Sequence, residues 1–562
     1  MASNPTISHV VHNLYQQEPE RIAITLLFSN QPDQNITYRR LIAGAAGYAK
    51  ALSQAGIRPG EVVILILQHG TELIYSFFGA ILQGAIPSIM PFLTEKLAPD
   101  EYRHSLEALF EITAPAAVIT YPEFIEEVRV AAKGKKSIRA ILVSNEVTSI
   151  ADSMIAEFNG QYSSPRDIVL LQHSSGTTGL QKGVALSHEA VFNQLESYSK
   201  AIRLSKSDVI VSWLPLYHDM GLVAGFLMPI LTQVRLILLS PFDWVRAPFR
   251  LMSAISKYKG TLTWQPNFAY NFCAQKIRSR DLEGVDLTSL RAVINCSEPM
   301  YWESHQMYLE RFQPYGLRAD ALATSYAMAE NVFGVTQGGI EKPVTIDHVN
   351  RQALSSQRVA KLSLEGEDAL KMLSAGFPIE NTQLRIIDST GIDLPERHIG
   401  EIAIQSDCML SGYYNRPDLT SRAFLDGWYL TGDLGYFANG ELYVTGRKKD
   451  LIIVGGKNIY PQDLEKLASD VPGVYPGRVV AFGVYNQLLG TEEVVLIAEA
   501  QPIDTEARHK IADQIRTHVN RGSDIALRYI KIVDRAWLLK TSSGKIARQA
   551  NRDKYLQEER HV

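Results

Sequence analysis

Apolar residues along the first third of the chain switch between two spacings. Tyr38 to Ala55 repeats them at helical intervals and stops at Gly56, whereas Val62 to Leu67 is an unbroken apolar run of strand length. Glu72 to Gln83 reads as helix and Ala85 to Met90 as strand, and Tyr102 to Ile112, Ala117 to Thr120 and Ala140 to Ser144 continue the alternation. Strands alternating with helices predict an α/β fold with mostly parallel sheets covered on both faces. Ile168 to Leu171 adds a buried strand and His188 to Ala201 a helix. Leu222 to Leu239 is the most membrane-like run, but Pro229, Gln233 and Arg235 interrupt it, so it reads as core helix and strand. Near the C-terminus, strands at Ile452 to Val454, Val479 to Val484, Val494 to Ala498 and Ile530 to Val533, with a helix from about Ala507 to Val519, predict a compact α+β unit. No internal repeat or long low-complexity tract interrupts the pattern.

A chain of 562 residues is too long for one core. The net charge of −4 makes no electrostatic case for nucleic acid. Cys273, Cys296 and Cys408 are far apart and lack metal-ligand spacing, which fits a reducing cytoplasm. The N-terminus has no basic-then-apolar signal pattern, and no stable membrane insertion is expected.

The most distinctive chemistry follows the strand at Ile168. Ser174, Ser175, Gly176, Thr177, Thr178, Gly179, Lys182 and Gly183 form a loop of hydroxyls, glycines and one cation. Small residues let successive backbone N–H groups turn toward one point, a cradle suited to polyphosphate. The GxxxxGK[ST] order of the common P-loop is absent. The bland alternative is a flexible Ser/Gly turn. Further on, His218 and Asp219 sit in the apolar, aromatic segment Trp213 to Leu222, and no GxSxG elbow exists to supply a nucleophile for them. They read either as the rim of a substrate pocket or as a satisfied, half-buried pair.

The loop from Ser174 to Gly183 resembles the phosphate loop of the adenylate-forming (ANL, AMP-binding) superfamily. Trp213 to Leu222, Gln265 to Tyr270 and Asn295 to Pro299 narrow the resemblance to the fatty acyl-AMP ligases, over nearly the whole chain. It implies a large N-terminal domain of packed mixed sheets and helices (1–446), a hinge (447–450) turning at Lys449, and a smaller mobile α+β domain (451–562). It implies two half-reactions. A carboxylate attacks the α-phosphate of ATP to give an acyl-adenylate and pyrophosphate, and a thiol then takes the acyl group. Ser325, Tyr326, Ala327 and Met328 match the segment before the family's magnesium glutamate, here Glu330. Magnesium prefers carboxylate oxygen, and Tyr326 offers an aromatic face for adenine. Ser297, Glu298 and Pro299 match a further nucleotide segment. Asp433 is similar to the ribose-binding aspartate and Arg447 to an arginine that reaches the nucleotide. Lys545 matches the lysine that enters with the small domain and bridges carboxylate and α-phosphate. Glu330 and His218 complete the residues expected at the chemistry.

An amino-acid substrate would need a buried acid for its ammonium, and Thr263 to Phe272 has none. That stretch suits an apolar chain, each buried methylene contributing about 0.8 kcal/mol. Trp213, His218, Met228, Asn267, Phe268 and Phe272 are candidate acyl-pocket residues, and the apolar ones equally suit the core. Val344 to Leu373 resembles the insertion that marks fatty acyl-AMP ligases, in which it restrains the small domain and disfavours coenzyme A. The acceptor implied is the phosphopantetheine thiol of a separate acyl carrier protein, because no Asp-Ser-Leu attachment site follows the small domain. A fatty acyl-CoA ligase is the alternative, and a non-catalytic nucleotide-binding regulator a third reading. Gln181 stands where the family loop usually has proline, and Cys296-Ser297 replaces a more usual Gly-Ala. Neither change removes a catalytic group.

Overall fold

The computed structural model describes residues 5–560, apart from 93–98, 152–157, 175–181, 364–368, 455–456, 487–490, 502–503, 524, 526 and 542–543. Its largest sheet runs Leu322–Ser325, Ala292–Cys296, Leu262–Gln265, Val209–Ser212, Arg235–Leu239, Ile22–Leu27 and Gln34–Thr37. Every neighbouring pair is parallel except the last. Val62–Ile66, buried at all five positions, lies in a second sheet between Ile86–Ile89 and Ala117–Thr120, with Ala140–Val143 beyond. All its pairings are parallel. These are the strands expected from the apolar runs, and the runs are continuous because both faces are covered.

Two further sheets, both from strands after residue 160, pair antiparallel. Ile168–Ser174 pairs with Lys182–Ser187, which pairs in turn with Gly412–Tyr413. Thr382–Ile387, Gly400–Ser406, Trp428–Ala438, Phe424–Leu425 and Glu441–Arg447 form another antiparallel sheet. Asn439 and Gly440, at φ of 53° and 76°, make the tight turn between two of its strands. An Asn-Gly pair with both φ positive is a strong hairpin signal, and a two-residue turn admits only antiparallel strands.

The segment that resembles an insertion forms a hairpin of Ile346–Asn350 with Ala369–Leu373. Asp347 fixes it by accepting hydrogen bonds from Arg397 (3.0 Å) and the Tyr436 hydroxyl (2.9 Å). Val349, Leu354 and Ala360 share an apolar cluster with Leu434, Tyr436 and Tyr460. From Ile452 onward the chain closes a core of its own, with Leu464, Val479, Leu496, Ile515 and Val519 at its centre. Its sheet is Val474–Asn486, Thr491–Ala500 and Tyr529–Val533, and its helices are Pro461–Ser469, Thr505–Gly522 and Arg548–Arg560. No helix among the described residues is long and apolar enough to cross a membrane.

Candidate active site

Segments far apart in the chain converge at the C-terminal ends of the large parallel sheet, where open α/β sheets place their ligands. Tyr326 directly follows the strand Leu322–Ser325, and its hydroxyl donates to Asp433 Oδ2 at 2.6 Å. Asp433 and Arg447 are cross-strand partners, and this register brings Arg447 Nε to 3.1 Å from Asp433 Oδ1. Thr431 accepts the Asp433 N–H and donates its own hydroxyl to the Ile402 carbonyl. Both carboxylate oxygens of Asp433 are thereby held by donors. Burial and the Asp433 charge push the Tyr326 hydroxyl far above the usual phenol range, so it remains a donor. Ser325 donates to the Thr336 carbonyl at 2.8 Å, and Ala327 bridges Gly334. Met328 is partly buried against the core.

Glu330 is buried, and its Oε1 accepts from the Tyr413 hydroxyl at 2.9 Å. Burial pushes the Glu330 carboxyl up, with the Lys182 charge opposing the shift. The Lys182 ammonium lies 4.7 Å from the centre of the Tyr413 ring. The end of the glycine-rich loop therefore meets Glu330 across one tyrosine, placed there by the pairing of Gly412–Tyr413 with Lys182–Ser187. Ser175, Gly176, Thr177, Thr178, Gly179 and Gln181 lie outside the described residues, as does the side chain of Ser174. The loop's two ends, Ser174 and Lys182, are cross-strand partners. His173, one residue before the loop, is buried with neither ring nitrogen hydrogen-bonded among the described residues, and burial pushes its imidazole down to about 4.

No group of three or more His, Cys, Asp or Glu side chains among the described residues forms a metal cage. A single carboxylate beside a lysine nevertheless fits a nucleotide-borne magnesium ion, which keeps waters and phosphate oxygens as its other ligands.

From the C-terminal unit, Lys545 reaches into this region and donates to the Ser297 carbonyl at 2.6 Å. Ser297 holds φ at 70°, a left-handed conformation that non-glycine residues rarely take and that concentrates at functional sites. Its neighbour Glu298 accepts the Phe268 N–H at 3.0 Å and so caps the helix Asn267–Lys276. Burial pushes the Glu298 carboxyl up, with the Lys545 charge in opposition. Pro299 is exposed. His218 Nδ1 lies 3.0 Å from Asp219 Oδ1, which also accepts the Met220 N–H. Burial raises the Asp219 carboxyl, but the His218 hydrogen bond and the charges of His218 and Lys545 together hold it below its ordinary value. The turn is tight: a Cβ on Gly221 would stand 2.2 Å from the Pro215 carbonyl oxygen.

The candidate acyl-pocket residues divide into two groups. Trp213 stacks on Trp244 with ring centres 3.5 Å apart and planes 10° apart. Phe268 meets the Trp213 ring edge-on at 6.4 Å, and Phe272 packs on Trp244 at 5.3 Å. Phe268 is 42% exposed, so the cluster has one open edge. Met228, by contrast, is fully enclosed in the main core. Asn267 is committed internally: its oxygen accepts from Asn295 and the Tyr301 N–H, and its amide donates to Ser304. Trp244 and Tyr413 sit in no string that signals a role by itself, whereas Thr431 stands two residues before Asp433 in the distinctive string Trp428 to Gly435.

A model of the family described as AMP-binding enzyme matches residues 11–414. The chain belongs to this family. It is 28% identical to a 4-hydroxyphenylalkanoate adenylyltransferase of Mycobacterium marinum, over 98% of this chain and 92% of that protein. It is 27% identical to the long-chain-fatty-acid–AMP ligase FadD26 of Mycobacterium bovis, over 96% and 95% of the two chains. A solved structure from work on fatty acyl-adenylate ligases of E. coli and L. pneumophila superposes with a TM-score of 0.92 at 28% identity, covering 99% of each chain.

Proposed function

We propose that the protein is a fatty acyl-AMP ligase. It activates a medium- or long-chain fatty acid with ATP to an acyl-adenylate and pyrophosphate. It then passes the acyl group to the phosphopantetheine thiol of a separate acyl carrier protein serving a polyketide, lipopeptide or lipid pathway. The observation that carries this reading is the 2.6 Å contact of Lys545 with the Ser297 carbonyl, beside Asp219 and Glu298. An ammonium held there can bridge a substrate carboxylate and an α-phosphate as charge builds between them.

In this reading Asp433 accepts from the ribose hydroxyls, with Arg447 and Tyr326 fixing its carboxylate. Tyr326, Ser297, Glu298, Pro299 and Ser325 to Met328 border the adenine, and the loop from Ser174 to Lys182 cradles the phosphates. Glu330 would hold magnesium, which supplies charge neutralisation on the phosphates when bound. Trp213, Phe268 and Phe272 flank the acyl chain, and His218 stands at its carboxylate end. Residues 1–446 act as the large domain and 451–562 as the small one, turning at 447–450 about Lys449. The hairpin Ile346–Asn350 with Ala369–Leu373 supports the carrier-protein preference, because its cluster with Tyr460 ties the two domains together. Three buried cysteines without disulfides fit a cytoplasmic enzyme.

The first test is pyrophosphate exchange into ATP driven by single acids. Exchange is expected with C8 to C18 fatty acids and not with amino acids; exchange with an amino acid alone would remove the substrate class.

A further inference from the structure

Lys545 sits on a loop whose base is held by the buried polar side chains of Asn551 and Glu499. Asn551 is fully buried. Its Oδ1 accepts the Leu539 N–H at 2.8 Å, while its Nδ2 donates to the carbonyls of Leu539 and Ala547, each at 2.8 Å. One side-chain amide therefore reads both backbone groups of Leu539 and ties them to Ala547 on the returning arm. The Ala547 N–H closes the same ring onto the Leu539 carbonyl at 3.0 Å. Inside that clasp Lys540 bridges Ile546, and the Thr541 N–H donates to the Lys545 carbonyl at 2.7 Å. One residue earlier, the Leu538 N–H donates at 2.8 Å to Glu499, which is also fully buried and lies 3.4 Å from Arg478. Beyond the loop, Arg548 donates to Asp450 and Glu465 at 2.6 and 2.8 Å.

We infer that Asn551, backed by Glu499, is a positioning residue for Lys545: its amide clasp sets where the ammonium arrives. This rests on the role proposed for Lys545. A lysine has a long, flexible stem, so the place of its ammonium depends on how firmly its backbone is held. A group displaced by about 1 Å from its productive position can lose on the order of 100-fold in rate. Among the described residues the side chain of Asn551 bonds only to Leu539 and Ala547, and not to Asp433, Tyr326, Glu330 or the Trp213 cluster. Its loss should therefore act on the adenylation rate and spare both substrate binding and the second half-reaction, in which the proposed bridging contact is not needed.

The test compares Asn551→Ala and Asn551→Asp with the parent enzyme in both half-reactions. Asp keeps the acceptor for Leu539 but turns a carboxylate oxygen on two carbonyls. For both variants kcat of dodecanoate-dependent pyrophosphate exchange is expected to fall about 10- to 100-fold, with KM for ATP within about twofold of the parent. Transfer of the acyl group from synthetic dodecanoyl-adenylate to pantetheine should stay within about twofold. Unchanged exchange overturns the inference. So does an equal fall in both half-reactions, which would make Asn551 a general support of the fold. Lys545→Ala is measured alongside. If that variant keeps exchange, the proposed role of Lys545 fails; if it is inactive while the Asn551 variants are fully active, only the positioning inference fails.

Discussion

Lys545→Ala is expected to lose adenylation while remaining folded. Among the described residues the ammonium donates one hydrogen bond, to the Ser297 carbonyl, and Lys545 is not part of the apolar core of the C-terminal unit, so its removal leaves that core untouched. In the reaction the same charge would face the carboxylate oxygen and the α-phosphate as the bond between them forms. One preorganised contact of this kind is worth roughly 3–4 kcal/mol, or about 100- to 1000-fold in rate. The loss should fall on kcat of pyrophosphate exchange, because the contact strengthens as charge develops. Lys540→Ala, on the same loop, is the comparison and is expected to keep most of the activity. Intact exchange in the Lys545 variant would overturn the assignment, whereas inactivity in both would point to the loop and not to one ammonium.

The second large effect is expected at Asp433. Asp433→Asn preserves shape but removes the charge shared by Arg447 and the Tyr326 hydroxyl, and replaces one acceptor oxygen with a donor. Hydrogen bonds to a charged group are each worth about 1.5–3 kcal/mol, so KM for ATP should rise about 10- to 100-fold. A ribose contact is made before and during the chemistry alike, so kcat should change far less. A fall in kcat at unchanged KM would instead place Asp433 outside the nucleotide-binding set.

Local strings made much of this legible. The apolar runs at Val62, Ala85, Ala117 and Ala140 became one parallel sheet because a strand buried on both faces has no choice but to be apolar throughout. Tyr326, Asp433, Arg447 and Lys545 each stood in a distinctive string, and the first three meet within hydrogen-bond distance. What escaped depends on distant pairing. Tyr413 reaches Glu330 only because a two-residue strand adds to Lys182–Ser187, and Trp244 meets Trp213 by stacking between separate elements. Neither contact leaves a periodic mark in the chain. The Asn439-Gly440 pair is a hairpin signal that strand–helix alternation does not contain. The positive φ of Ser297 had no such signal, because serine is not the residue that conformation favours.

In the proposed function the acyl-adenylate is destined for a carrier thiol and not for coenzyme A. The most direct measurement incubates the protein with ATP, magnesium and a mixture of C8 to C18 fatty acids, with and without coenzyme A, and resolves acyl-AMP and acyl-CoA by mass. Acyl-AMP that persists unchanged when coenzyme A is added is the predicted result. Efficient formation of acyl-CoA would contradict it and make the protein a fatty acyl-CoA ligase.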